Sequence, residues 1–259
     1  MNRGRRHNIF ALASVAVALC LIFPFWAHDV RADEQYRLVS APFPPFIKVD
    51  KNKKIEGFVP LLIDEAMTRA GLKHSVEIHP WERALRMTEK GPLTFHMSLA
   101  RTKHRENKFQ WVYPLFQIET GFIHNSGKKS PPRMVKTETP ICVLSRTTML
   151  GHLKRKGYRR VLGMPDVRAC VRLLRDGKVD YIFSEWFVTR HAFELEGMPV
   201  DKLRKGDAVL KVDVYLAASK DVAAHHVRNV KAAMREMTRD GTLETFLNRY
   251  NMKGLAVPK

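Results

Sequence analysis

An α/β fold is what this sequence predicts, on three observations. Short apolar runs of strand length alternate with segments whose apolar residues recur at helical spacing. The helical segments stop at glycines, among them Gly71, Gly91 and Gly177. No repeat of solenoid period and no low-complexity stretch interrupts the alternation. Residues 33–259 are long enough for one large domain or two small ones with real cores.

Each element has its own justification. Tyr36 to Ala41 reads as a strand that runs into the turn Pro42-Phe43-Pro44-Pro45, and Lys51-Asn52-Lys53-Lys54 reads as a polar hairpin tip. Pro60 to Ala70 predicts a helix, with proline in the first turn, where its missing N–H is harmless, and Gly71 just past the end. His74 to His79 alternates, with Val76 and Ile78 on one face. Trp81, Ala84, Leu85 and Thr88 lie at helical spacing before Gly91, and Thr94 to Leu99 is a further strand. Residues 125–133 are polar and rich in Lys, Ser and Pro, a loop or a lobe boundary. A second α/β run follows. Pro140 to Leu144 is a strand, Asp166 caps a helix with Val167, Cys170, Val171 and Leu174 on its apolar face, and Val179 to Ser184 is the next strand. Val212 to Ser219 predicts another strand. Two helices finish the chain, one with Val227, Val230, Met234 and Met237 on one face, the other with Leu243, Phe246, Leu247 and Tyr250, separated by Asp240-Gly241.

The N-terminus reads as an export signal rather than as part of the fold. Arg3, Arg5, Arg6 and His7 precede an uncharged, mostly apolar run from Ile9 to Phe23, and Val30-Arg31-Ala32 offers small residues at cleavage spacing. The expected signal peptide is residues 1–32. The alternative is an uncleaved anchor, but the run falls short of the ~20 residues that a spanning helix needs. Leu19 ahead of Cys20 is too bulky for a lipoprotein site.

The leader carries Arg3, Arg5, Arg6 and Arg31 against Asp29, which leaves +16 of the chain's +19 on residues 33–259. Nucleic acid is the usual partner of so basic a chain. The cations are spread rather than gathered, however, and no nucleic-acid motif is present. A solvated basic surface, or attraction to anionic lipid head groups, cell-wall polymers or an acidic ligand, accounts for the charge equally well. Cys142 and Cys170 remain after cleavage. An oxidising compartment permits a disulfide, worth ~3 kcal/mol in the chain-entropy model. The bond is the expectation and two separate buried thiols the alternative.

Several short motifs come in a telling order: Ala41-Pro42-Phe43-Pro44-Pro45-Phe46, Gly57-Phe58, Trp81-Glu82-Arg83-Ala84-Leu85, Arg101-Thr102-Lys103-His104-Arg105, then Lys211 to Asp221 and Met234 to Tyr250. Together they resemble the family-3 extracellular solute-binding proteins, the polar amino-acid receptors of ABC importers. The resemblance implies a two-lobed type II periplasmic binding fold with the ligand between the lobes. Residues 33–123 and 212–259 would form lobe one and residues 124–211 lobe two. It also implies hinge closure, a monomer, a small carboxylate-bearing ligand, no cofactor, and an ABC permease or membrane sensor as partner.

The resemblance carries site residues over one at a time. Arg105 falls where the family holds a ligand carboxylate, a task suited to the parallel N–H donors of a guanidinium. Arg101 shares that role or supports it. Ser98 matches a hydrogen-bonding position, Phe43 an aromatic that stacks on the ligand, and Trp81 opens a helix just after a strand, where cleft residues gather. For Ser98 a satisfied strand-end hydroxyl, and for Trp81 core packing, are the competing readings. In lobe two, Thr147 and Thr148 fall where threonine binds the carboxylate, but Arg146 replaces the usual glycine. Glu185 stands where an aspartate typically binds an α-ammonium. These departures leave room for a small anion or zwitterion other than a standard amino acid.

An enzyme on the same fold is the main rival, with Glu185 as general acid if burial raised its pKa. The sequence has no Gly-x-Ser-x-Gly elbow and no His-Glu-x-x-His motif. The eleven histidines are scattered, and His225-His226 is expected to point its rings apart, a poor metal site.

Overall fold

Two long strands organise the molecule, a computed structural model that describes residues 35–126, 135–145 and 147–256. Strand β6 (Gln110–Asn125) and strand β10 (Leu203–Ala218) pair antiparallel along their whole lengths, from Gln110 opposite Ala218 to Asn125 opposite Leu203. The ladder slips where Gly206 and Asp207 cross Gly121. A β-carbon on Gly121 would sit 2.8 Å from the Asp207 carbonyl oxygen, so only glycine fits.

On one side β10 meets β5 (Thr94–Ala100), then come β1 (Tyr36–Ser40) and β4 (His74–Ile78), these three mutually parallel. On the other side β6 meets β9 (Tyr181–Glu185), then β7 (Ile141–Leu144) and β8 (Val161–Met164), again parallel to one another. The sheet order is therefore β4-β1-β5-β10-β6-β9-β7-β8. The remaining strands, β2 (Lys48–Val49) and β3 (Ile55–Glu56), form a hairpin with the expected polar tip, where the Asp50 side chain accepts from the amides of Asn52 and Lys54.

Helices cover both sets. The first half carries α1 (Phe58–Arg69), α2 (Trp81–Lys90), α6 (Ala224–Arg239) and α7 (Thr242–Arg249). Its core joins Leu38, Phe46, Leu62, Phe95, Phe116, Leu216 and Met234. The second half carries α3 (Thr148–Arg155), α4 (Val167–Arg175) and α5 (Trp186–Leu195). Its sheet packs on both faces. Cys142, Cys170, Val171 and Phe193 lie under α4 and α5, while Phe122, Leu153 and Phe183 lie under α3. Cys142 and Cys170 are bonded within the first of these layers, their Cα atoms 5.5 Å apart, which ties β7 to α4. Among the described residues no helix is long and apolar enough to cross a membrane. The expected leader lies outside the described residues.

Three elements differ from expectation. Strand β10 begins nine residues before Val212, because Leu203–Lys211 shows no clean alternation and is held by its pairing with β6. Helix α3 is not among the expected elements; it fully buries Leu153, with Met149 and Leu150 partly buried against the same layer. Helix α5 starts at the residue after β9 ends, without the turn that normally marks a boundary.

Candidate functional site

Crevices outside the carboxyl ends of parallel strands are where open α/β sheets bind ligands. Both parallel sets here end on the same stretch of the crossing pair. Ala100, the last residue of β5, lies beside Val214, whose partner on β6 is Phe116. Four residues further along β6, Thr120 pairs with Glu185, the last residue of β9.

The first-half end is built from β5, α2 and the segment after Ala100. Strand β5 places Phe95 and Met97 in the core, while His96 and Ser98 alternate onto the other face. Ser98 Oγ lies 2.9 Å from Ser40 Oγ at the end of β1. His96 is 0% exposed, and its Nδ1 accepts from the Ser98 amide at 3.2 Å. Trp81, 39% exposed at the start of α2, meets the His96 ring edge-on at 5.5 Å. The Arg105 guanidinium lies 5.2 Å over the Trp81 ring and donates to the Ala100 carbonyl at 3.1 Å. Among the described residues no carboxylate pairs with Arg105, and burial lowers its pKa. Together these make a half-desolvated cation without a counter-ion among the described residues.

Arg101, from the same motif, differs. It pairs with Glu106 through both ends of its guanidinium, and lies 5.4 Å from the Trp111 ring and 5.0 Å from that of Tyr215. Glu106 holds its pKa above the ordinary arginine value. Phe43 bridges back to Ile47, with its ring 4.9 Å from that of the fully buried Phe46.

In the second half the predicted residues serve helix ends. Thr147 caps α3: its hydroxyl donates to Leu144 O at 2.7 Å and accepts from the Leu150 amide at 3.4 Å. Thr148 is the exposed first residue of that helix, and Arg146 lies outside the described residues. Glu185, 7% exposed, caps α5 by accepting from the amides of Phe187 at 3.0 Å and Val188 at 2.7 Å. Burial pushes its pKa up to about 7, against the pull of those amides and of Lys205.

A scan of protein-family descriptions matches residues 38–253 to "Bacterial extracellular solute-binding proteins, family 3". The chain belongs to that family. None of the curated proteins matches it. Solved structures share the two-lobed fold. One is a histidine kinase sensor domain with similarity to periplasmic binding proteins, with TM-score 0.69 and 13% identity over 87% of this chain and 98% of that one. Another is the arginine-, lysine-, histidine-binding protein ArtJ from Geobacillus stearothermophilus, at 0.64 and 18%, over 87% and 97%. A third is a His/Glu/Gln/Arg/opine family-binding protein from Silicibacter pomeroyi in complex with lysine, at 0.64 and 18%, over 86% and 99%.

The solute-binding fold clarifies what sequence reasoning missed. His96 carries a readable signal, a polar residue in register with Ser98 inside the apolar run Phe95 to Leu99. Phe187 carries none. It projects from α5 into the first-half core, 7% exposed, with its ring 6.2 Å from that of Phe46. Beside it a cavity of about 360 Å³ opens between α5 and the C-terminal segment, lined by Pro45, Lys48, Arg190, Arg249 and Tyr250, none of them a predicted site residue. The histidine pair departs from expectation: at the start of α6 the rings of His225 and His226 lie 3.9 Å apart, and that of His226 lies 5.4 Å from Tyr36. Among the described residues no group of three or more His, Cys, Asp or Glu could hold a metal ion.

Proposed function

We propose that this protein is a periplasmic solute receptor, delivered by residues 1–32 and then acting as a monomer. It captures a small carboxylate-bearing, amino-acid-like molecule and passes it to an ABC permease. Lobe one is residues 33–123 and 212–259, and lobe two is residues 124–211. The observation that carries the reading is Arg105, half-buried, stacked on Trp81 and without a carboxylate partner among the described residues. A desolvated guanidinium of this kind gains most from a bidentate carboxylate. Ligand that touches both lobes only when they close shifts the open–closed equilibrium, and that shift is the signal a membrane partner reads.

The test is a thermal-shift screen of residues 33–259 against amino acids, organic acids, polyamines and cell-wall fragments. A compound at a hundred times its dissociation constant adds ~2.7 kcal/mol of stability. The expected result is a saturable hit recovered chemically unchanged, and the same hit lost in Arg105→Ala. Turnover of the hit would replace the receptor with an enzyme. The same fold serves a histidine kinase as its sensor domain. A signalling partner is therefore the second reading, and it is separated from transport by whether the closed form binds a permease or a sensor.

A further inference from the structure

His96 is the buried polar group at the site that the fold does not account for. Its Nδ1 accepts the Ser98 amide, so in the neutral ring the hydrogen sits on Nε2. The ring is neutral, since burial and then the Arg105 charge hold its pKa down at about 3. Nε2 is a buried donor, and among the described residues no protein atom accepts from it. Such donors are rare because leaving one unpaired is costly. An apolar residue between Phe95 and Met97 would avoid that cost. The His96 ring meets Trp81 edge-on at 5.5 Å, Arg105 stacks on that same Trp81 ring, and the Arg105 charge is felt at His96.

We propose that His96 is a ligand-binding residue: its Nε2–H and the Arg105 guanidinium cradle one oxyanion of the ligand, which reaches them as the Trp81 ring swings aside. The proposal rests on the receptor reading and deepens it, since it names the chemistry of the bound head group. Both members of the cradle only donate. Of the carboxylates on the flanking segments, Glu106 pairs with Arg101, Glu77 with Arg37 and His79, Asp213 accepts from Gln117, and Glu82 lies 3.7 Å from Arg86 in an exposed pair. The two donors therefore favour negative charge on the ligand head over an ammonium at the same place. Trp81 is the exposed group packed against both donors, so it is the part free to move.

The experiment uses residues 33–259 as wild type, His96→Phe and His96→Gln. Three probes of matched chain length are titrated calorimetrically: glutarate, 5-aminovalerate and cadaverine. The wild type is expected to take glutarate and 5-aminovalerate but not cadaverine. His96→Phe removes the donor and keeps a planar ring. It should weaken both carboxylates roughly tenfold or more while raising the melting temperature of the free protein, because the unpaired group is gone. His96→Gln, whose amide N–H reaches the Nε2 position, should restore much of the affinity. A purely structural histidine would not couple a gain in stability to a loss of binding. Glutarate bound equally by wild type and His96→Phe removes His96 from the site and leaves the receptor standing. Cadaverine bound more tightly than glutarate overturns the oxyanion cradle. A wild type silent to these probes and to the whole screen overturns the receptor reading, and this inference with it.

Discussion

Arg105 and Glu185 stand at the carboxyl ends of the two parallel strand sets, and the sequence leads one to expect a ligand contact from each. Their surroundings differ. Arg105 makes one hydrogen bond to a carbonyl, stacks on a partly exposed tryptophan, and has no counter-ion among the described residues. Glu185 has both oxygens engaged by the first amides of α5. The helix it caps delivers Phe187 into the first-half core, so Glu185 also positions an apolar contact between the halves. A charged side chain at a motif position serves the ligand only if the fold has left its hydrogen-bonding capacity free. On that criterion Arg105 keeps hydrogen-bonding capacity free among the described residues, while Glu185 spends its capacity on the start of α5.

The largest effect that can break this comparison is on stability. Glu185→Ala leaves the Phe187 and Val188 amides without acceptors and uncaps α5, an expected cost of about 2–4 kcal/mol. Arg105→Ala removes a half-buried stacked side chain that, among the described residues, hydrogen-bonds only a carbonyl, an expected cost below about 1 kcal/mol. Urea unfolding of both variants at pH 6 measures the difference. Equal losses would mean that Arg105 is as structural as Glu185.

The next effect is pH dependence. The folded-state pKa of Glu185, at about 7, lies above the ordinary carboxylate value of 4.5. The folded protein therefore keeps a proton that the unfolded chain has already released between those values. By linkage, stability from this group falls as pH rises from about 4.5 to about 7 and is flat above, a loss of at most about 3 kcal/mol. Glu185→Gln should abolish that part of the slope, whatever its absolute stability. A slope unchanged in the variant would show that Glu185 titrates like an exposed carboxylate and is not desolvated by the contact it caps.

The same criterion explains how far the sequence could be read. Periodicity and end signals bring out α1, α2, α4, α6 and α7, most clearly α6, whose Val230, Met234 and Met237 share one buried face. They leave out α3 and α5, and the first residue of α5 follows directly on a strand. The first half of β10 was illegible because its order comes from a partner strand distant in sequence. At the site, motif order brought out Arg105, Trp81 and Ser98, which the fold does gather. Which of two arginines four residues apart stays unpaired depends on how the chain turns after Ala100. Whether a carboxylate is spent on a helix depends on where that helix begins. A lone histidine in an apolar strand is usually satisfied, and only the packed structure shows that His96 Nε2 has no acceptor among the described residues.

Arg101 supplies the smallest effect and the most discriminating one. It shares the Arg101-to-Arg105 motif and the same positive charge, but Glu106 takes its guanidinium, which lies 5.4 Å from the Trp111 ring and 5.0 Å from the Tyr215 ring. Arg101→Ala should cost about 1 kcal/mol, since the pair is partly exposed and the stacking is of surface strength. Calorimetric titration with a carboxylate hit should return a dissociation constant within about threefold of wild type. The variant frees Glu106, which places a new negative charge near Arg105, so any residual weakening should shrink at high salt. Restoring binding with the double change Arg101→Ala and Glu106→Gln would confirm that Glu106 alone transmits the effect. If Arg101→Ala instead abolishes binding and the double variant does not recover it, Arg101 contacts the ligand despite its counter-ion. Availability of partners would then be the wrong criterion for reading this site.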